Sequence, residues 1–154
     1  MPNWGYSFNA YEIDSMAKAS GRELRISPKA AREICRHIRH MGLHQAKAFL
    51  EKVVSKKQAV PYRRHKKEVA HKAGLQGWYA GKYPVKAAQQ TLKILNDLEA
   101  NAEEKGLDTE RMRIIHAAAY KGRTLKRYFP RAFGRSSPNF EKLCHLEFVA
   151  EETR

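Results

Sequence analysis

One connection constrains this chain more than any other feature, because it is too long and too basic to be an ordinary loop. Arg111 to Ala119 alternates, with Met112, Ile114, His116 and Ala118 on one side, and Leu143 to Val149 alternates again, with Cys144, Leu146 and Phe148 together. Period-two patterning reads as two strands, antiparallel neighbours of one another. Residues 120–138 join them and carry six Lys/Arg and no acid. Connections of this length are uncommon in compact domains unless they are functional or disordered. The segment also holds Tyr128, Phe129 and Phe133, which a disordered basic tail tends to lack. An extended ribbon would satisfy its own backbone, with Pro130 and Gly134 breaking or turning it near the tip. Cations interleaved with rings suit RNA, since the cations neutralise phosphates and the rings stack on unpaired bases. The competing reading is a solvated basic loop with no partner.

The rest of the chain supplies a body for such a ribbon. Leu24-Arg25-Ile26-Ser27 reads as a short strand running into a helix. Ser27-Pro28 is its start signal, with Ser accepting from free amides at the N-cap and Pro tolerated at the first helical position. That helix is expected to reach about Met41 and stop at Gly42. Ala31, Ile34, Cys35 and Ile38 share one face, and Lys29, Arg32, Arg36 and Arg39 another. A second helix is expected from about His44 to Lys56, on the stripe Ala46, Phe49, Leu50 and Val53. Gln58 to Tyr83 keeps no clean period and reads mostly as loop, with a short helix possible near Lys66–Lys72. Pro84 opens the longest helix, to about Lys105. Its stripe is Val85, Ala88, Leu92, Leu95, Leu98 and Ala102, and Gly106 closes it.

Charge is sorted along the chain rather than mixed. Lys+Arg total 30 against 16 Asp+Glu, a net of +14 over 154 residues. Gly21 to Lys72 carries 15 Lys/Arg and 4 acids, Asp97 to Glu110 six acids and one Lys, and Arg111 to Arg135 eight Lys/Arg and no acid. A chain that was basic only for solubility would mix the signs, so a polyanionic partner is the simplest explanation. The apolar fraction of 42% is ordinary and argues for a packed core. Cys35 and Cys144 lie far apart and define no disulfide framework, which suits a reducing compartment. There is no run of about 18 apolar residues, hence no expected membrane span. Met1-Pro2-Asn3-Trp4-Gly5-Tyr6 lacks the regions of a signal peptide, so a soluble cytoplasmic protein is expected.

The chemistry of catalysis finds little support. No nucleophile with an adjacent base, no carboxylate pair and no phosphate-cradling glycine loop stands out. His116 and His145 fall on the two expected strands and could serve a ribonuclease, although cross-strand packing is the commoner use of such a pair. His37, His40 and His44, with Cys35 nearby, could suggest zinc, but Gly42 ends the helix before His44 and spoils the four-ligand geometry. The expectation is no enzyme, no metal, no cofactor and no small-molecule substrate. Arg63-Arg64-His65-Lys66-Lys67 reads as a second RNA contact beside the basic helix face, or as a nuclear localisation run in a eukaryotic source. Trp78 and Tyr79, between glycines, could stack on a base or clamp the loop onto its own domain. A DNA-binding module is the alternative from another class.

Gly122-Arg123-Thr124-Leu125-Lys126-Arg127, followed by Pro130-Arg131-Ala132-x-Gly134-Arg135, resembles the hairpin of the family of ribosomal large-subunit protein twenty-two, whose eukaryotic counterpart is numbered seventeen. The resemblance extends over about residues 21 to 150. Arg25-Ile26-Ser27-Pro28-Lys29-x-Ala31-Arg32 resembles the opening strand and helix, Ala46-x-x-x-Leu50 the second helix, Ala100-Asn101-Ala102-Glu103 the end of the long helix, and Cys144-His145-Leu146-Glu147 the closing strand. Ala59-Val60-Pro61-Tyr62-Arg63-Arg64 and Gly81-Lys82-Tyr83-Pro84-Val85-Lys86-Ala87 are similar to the longer archaeal and eukaryotic version, and an archaeal source is preferred. Phe129 and Phe133 depart from many bacterial members, which have further basic residues there.

The resemblance implies an α+β fold, a small single domain of about three helices on a short antiparallel three-stranded sheet, with a long protruding basic β-hairpin. Residues 21–110 and 139–152 would form the globular part, and 111–150 the strands that carry the hairpin extension 120–138, all within one domain over 1–154. It implies a structural constituent of the large ribosomal subunit that binds large-subunit ribosomal RNA, supports assembly and lines the nascent-peptide exit tunnel. Lys121, Arg123, Lys126, Arg127, Arg131 and Arg135 would be the hairpin's RNA contacts. Lys29, Arg32, Arg36, Arg63, Arg64, Lys66 and Lys67 join them from the basic zones. Tyr128, Phe129, Pro130 and Phe133 would form the tip, where side chains face the nascent peptide. Neighbouring large-subunit proteins complete the expected partners.

Overall fold

The computed structural model describes residues 5–153, so residues 1–4 of the stretch weighed against a signal peptide, and residue 154, lie outside it. From residue 5 an irregular segment leads into β1, Met16–Leu24. It continues through α1, Pro28–Ile38, and α2, Leu43–Val54. A two-residue ribbon, β2 at Val60–Pro61 with β3 at Gly81–Lys82, brackets the long connection before α3, Val85–Glu104. A single 3-10 turn, Thr109–Arg111, leads into β4, Met112–Leu125. Then come β5, Tyr128–Pro130, β6, Ser136–Pro138, and β7, Glu141–Glu152.

The main sheet has the order β1-β7-β4 and is antiparallel throughout. The architecture is therefore the expected α+β arrangement of three helices on a three-stranded antiparallel sheet. Helix α1 packs across β4, α3 across β1, and α2 lies against α3. The core is where their stripes meet: Ile34 and Ile38 of α1, Leu50 and Val53 of α2, Leu95 and Leu98 of α3, and Leu146 and Phe148 of β7, all inaccessible to solvent.

As the central strand, β7 is buried on both faces from Leu143 to Ala150. Its second face is covered by the N-terminal segment. The Ser7 amide and hydroxyl both donate to Glu147 Oε2, at 3.1 and 3.0 Å, and Arg22 pairs with Glu147 Oε1 at 3.2 Å. A carboxylate can sit in a strand that is only 3% exposed there because it is met by a cation and two donors.

Several local expectations are corrected. The first strand is not Leu24–Ser27 but the longer β1, which ends at Leu24. Ser27 occupies the N-cap of α1 with no side-chain hydrogen bond, while Pro28 takes the first-turn position as expected. The helix stops at Ile38 rather than near Met41, and His40 adopts φ 67. The His40 amide instead bonds the Ile114 carbonyl at 2.7 Å, so the turn is tied to β4. There is no helix at Lys66–Lys72; that stretch is held by a bridge between His71 and Ala80. In β4, a bulge between Ile114 and His116 inverts the alternation, so Ala117 rather than His116 and Ala118 turns inward.

Candidate nucleic-acid interface

The hairpin is a continuation of the sheet. Strands β4 and β7 remain paired beyond the end of β1, out to Leu125 opposite Glu141. Strands β5 and β6 then extend the ribbon through Tyr128–Pro138, Phe129–Ser137 and Pro130–Ser136. The tip is closed by the Arg131 amide on the Arg135 carbonyl at 2.8 Å, with Phe133 and Gly134 both at positive φ. Pro130 thus sits in a strand, and the turn is made at 131–135.

Two bulges mark the point where the ribbon leaves the body. One lies in β1 between Gly21 and Leu24, the other in β4 between Lys121 and Thr124, and both Leu24 and Lys121 pair with Cys144. His145 fills the space between them. Its Nδ1 accepts the Glu23 amide at 3.0 Å, and its Nε2 lies 2.8 Å from where a Cβ on Gly122 would stand. His116 is on the same strand pair but meets Phe8, with ring centroids 5.4 Å apart, and Ser7, at 3.2 Å. Its pKa is lowered by burial and by Arg39. The two histidines weighed as a ribonuclease pair therefore each have a packing partner of their own.

The structure sorts the expected contact residues into three groups. At the hairpin, Lys121, Arg123, Lys126, Arg127, Arg131 and Arg135 are all exposed. Near its base, Arg123 approaches Glu23 at 3.6 Å and Arg127 approaches Glu141 at 3.9 Å, both weak solvent-screened pairs. Among the described residues no carboxylate lies within ion-pair range of Lys121, Lys126, Arg131 or Arg135. The tip residues Tyr128, Phe129, Pro130 and Phe133 are exposed too, Phe133 at 97%. Tyr128 meets Phe140 edge-on at 5.6 Å, joining tip to base.

The second group is the exposed face of α1. Lys29 and Arg32 line an open cleft of about 910 Å³ between α1, the start of α3 and the hairpin base, which Lys121 also lines. Sequence reasoning missed four of its other residues: Arg25, Lys86, Phe140 and Lys142. Lys142 was within reach, because the alternation Cys144, Leu146, Phe148 carried two residues back places it on the same face.

Arg36 belongs to the third group, a small recess that it shares with Glu33, His37, Pro61 and Arg63. Glu33 is 1% exposed and accepts three backbone amides, Arg63 at 3.1 Å, Arg64 at 2.9 Å and His65 at 3.0 Å. One carboxylate thereby shapes the Arg63–His65 turn and leaves its side chains outside. Burial, then Arg63, lowers the pKa of His37, so the imidazole favours its neutral form beside these cations. Burial, then Glu33, pushes the Tyr62 hydroxyl up to about 12. The Trp78 indole donates to the Tyr62 carbonyl at 2.9 Å, and Arg63 and Lys66 lie 5.0 and 5.3 Å from its ring centre. Trp78 therefore clamps its own loop, while the stacked Tyr79 remains 43% exposed. Lys67 is exposed beside this cluster.

Among the described residues no group of three or more His, Cys, Asp or Glu is placed to hold a metal ion, and no helix is long and apolar enough to cross a membrane. Cys35 and Cys144 are buried free thiols, and burial raises the pKa of both.

Comparison with known proteins gives a consistent result. Residues 19–151 match the family model described as Ribosomal protein L22p/L17e. The large ribosomal subunit protein uL22 of Archaeoglobus fulgidus is 52% identical over 151 residues, covering 98% of this chain and 97% of that one. Its counterpart in Methanopyrus kandleri is 52% identical over 153 residues, covering 97% and 96%. The counterpart in Cenarchaeum symbiosum is 48% identical over 152 residues, covering 99% of each.

Proposed function

The chain belongs to the ribosomal protein L22p/L17e family, and on that premise we propose that it is a structural protein of the large ribosomal subunit in the cytoplasm. It binds large-subunit ribosomal RNA, supports assembly, and sends its hairpin inward to line the nascent-peptide exit tunnel. It carries out no catalysis. The observation that carries this reading is the hairpin itself, whose cations Lys126, Arg131 and Arg135 are exposed with no carboxylate among the described residues in ion-pair range. A ribbon of like charge gains nothing by folding back on a body that is itself basic, in a chain of net +14. Embedded in RNA, each Lys is a point charge on phosphate and each Arg a fork that also stacks.

The division of labour follows from position. Lys121, Arg123, Lys126, Arg127, Arg131 and Arg135 contact RNA along the ribbon. Lys29, Arg32, Arg36, Arg63, Arg64, Lys66 and Lys67 anchor the body, which comprises 21–110 and 139–152 within one domain. Tyr128, Phe129, Pro130 and Phe133 form the tip, and Phe133 at its apex faces the growing peptide. Neighbouring large-subunit proteins cover what the RNA leaves free.

The test shortens the hairpin without breaking the sheet. Leu125 and Glu141 are a cross-strand pair, so residues 126–140 can be replaced by the two-residue turn Asn-Gly, which matches hairpin twist. Cells relying on the shortened protein are expected to accumulate defective large-subunit precursors. Normal particles with normal elongation would overturn the tunnel-hairpin reading, and a preference for duplex DNA over structured RNA in competition would overturn the RNA reading.

A further inference from the structure

We propose that the cleft between α1, the start of α3 and the hairpin base is a second RNA site that seats a single-stranded phosphodiester segment, with a nucleobase on Phe140. The proposal rests on the RNA-binding reading above and assigns part of that binding to a place in the body. Six cations line the cleft: Arg25, Lys29, Arg32, Lys86, Lys121 and Lys142. They come from four separate parts of the chain, so their convergence is a product of the fold and not of a basic run in the sequence. The carboxylate among the lining residues is Glu141. Arg25 takes it up through Nε at 2.9 Å and Nη2 at 2.8 Å. The Arg25 hydrogen bond, ahead of other causes, lowers the pKa of Glu141.

Alongside these cations the lining is apolar, with Ile26, Val85, Ala119 and the 45% exposed Phe140. Cations beside an apolar surface match a nucleotide, whose phosphates are charged and whose base has two uncharged faces. At about 910 Å³ the cleft has the size of a small-ligand site. Single strands and loops are the forms of RNA whose bases can be splayed onto a ring, so a single strand is the form that Phe140 suits. Lys121 belongs to both cleft and hairpin, so a strand leaving the cleft is handed directly to the ribbon.

The experiment uses the full chain and a mixed-sequence single-stranded RNA oligonucleotide, with affinity measured across a salt series. The parent is the unshortened protein, since the shortened hairpin lacks Phe140. Lys29→Gln, Lys86→Gln and Lys142→Gln together are expected to make its log-log salt slope less negative by about 2, at roughly 0.7 per lost phosphate contact. Lys52→Gln, Lys57→Gln and Lys93→Gln remove the same charge from exposed positions elsewhere and are expected to change the slope far less. Phe140→Ala is expected to weaken binding by roughly fivefold or more while leaving the slope in place. Equal slope changes in the two lysine triples, or no change in the cleft triple, would overturn the cleft while leaving the hairpin reading intact. Failure of the unaltered protein to bind large-subunit RNA would overturn both. Thermal unfolding of each variant separates lost contacts from lost fold.

Discussion

Replacing Glu33 by alanine would strand the amides of Arg63, Arg64 and His65, which all donate to its buried carboxylate. Hydrogen bonds to a charged acceptor are worth about 1.5–3 kcal/mol each, and donors left without a partner cost more than the mean. The three amides share one loop that can open to water, so the expected loss is about 3 kcal/mol rather than the sum, read as a lowered urea midpoint. Glu33→Gln keeps the shape but turns an NH2 towards amide donors, and it should recover part of the loss. Trypsin supplies a second readout, since Arg63–Lys67 is rich in its sites and should be cut faster in the alanine variant. If both variants match the parent in midpoint and cleavage, Glu33 does not hold the turn. In the sequence this residue looked like one more acid within a basic zone. Its role depends on a loop that arrives some thirty residues later, and periodicity within α1 carries no trace of that.

The hairpin depends on a different constraint, the absence of a side chain at Gly122. An added Cβ would stand 2.8 Å from Nε2 and 3.1 Å from Cε1 of His145. That ring is 6% exposed and is tied to the Glu23 amide, so it cannot swing away freely. Gly122→Ala should therefore cost about 1–3 kcal/mol, the range for overpacking a filled site. The damage should centre on the base of the ribbon, and amide exchange should quicken at Thr124 and Lys142 before it does at Leu146. Unchanged exchange there would mean the ring yields without cost. The hairpin and its flanking strands were legible in the sequence, because β4 and β7 alternate and the join between them is free of acid. What escaped was β1 and the inversion within β4. In β1 the inward positions include Ala17, Ala19 and Gly21, small because α3 comes close; a Cβ on Gly21 would meet Ile94 Cδ1 at 2.5 Å. Small residues erase the hydrophobic alternation that marks a strand. The inversion arises from a single bulged residue, Ile115, which no pattern of period two can express. The cleft was half legible for the same reason. Lys29 and Arg32 lie on one helix face, and Lys142 follows from the alternation of β7, whereas Arg25 and Lys86 reach it only through the packing of α1 and α3 on the sheet.

At the scale of the whole molecule, sorted charge makes the free protein unlike its bound form. The chain carries +14, and the acids of Asp97–Glu110 sit together at the end of α3 and in the turn that follows, too few to balance the cations of α1, the 63–67 turn and the hairpin. Folding concentrates this charge, while unfolding spreads it, so self-repulsion destabilises the native state. Salt acts on two opposed effects. It weakens pairs such as Arg25–Glu141, but exposed pairs of this kind contribute little. It also screens the repulsion among many cations, and this acts over longer distances, with a Debye length of about 30 Å at 0.01 M and about 10 Å at 0.1 M. Repulsion should win, and the melting temperature should rise by a few degrees between 10 mM and 300 mM sodium chloride. Inorganic tripolyphosphate at matched ionic strength should raise it further, because it binds clustered cations that the unfolded chain no longer presents. A ligand at 100 times its Kd adds about 2.7 kcal/mol by linkage. The shortened hairpin should show a smaller response to simple salt, having lost four cations, yet keep its response to tripolyphosphate through the cleft. A melting temperature that fell with salt would mean that the ion pairs outweigh the repulsion and that the fold does not depend on a polyanion for its full stability.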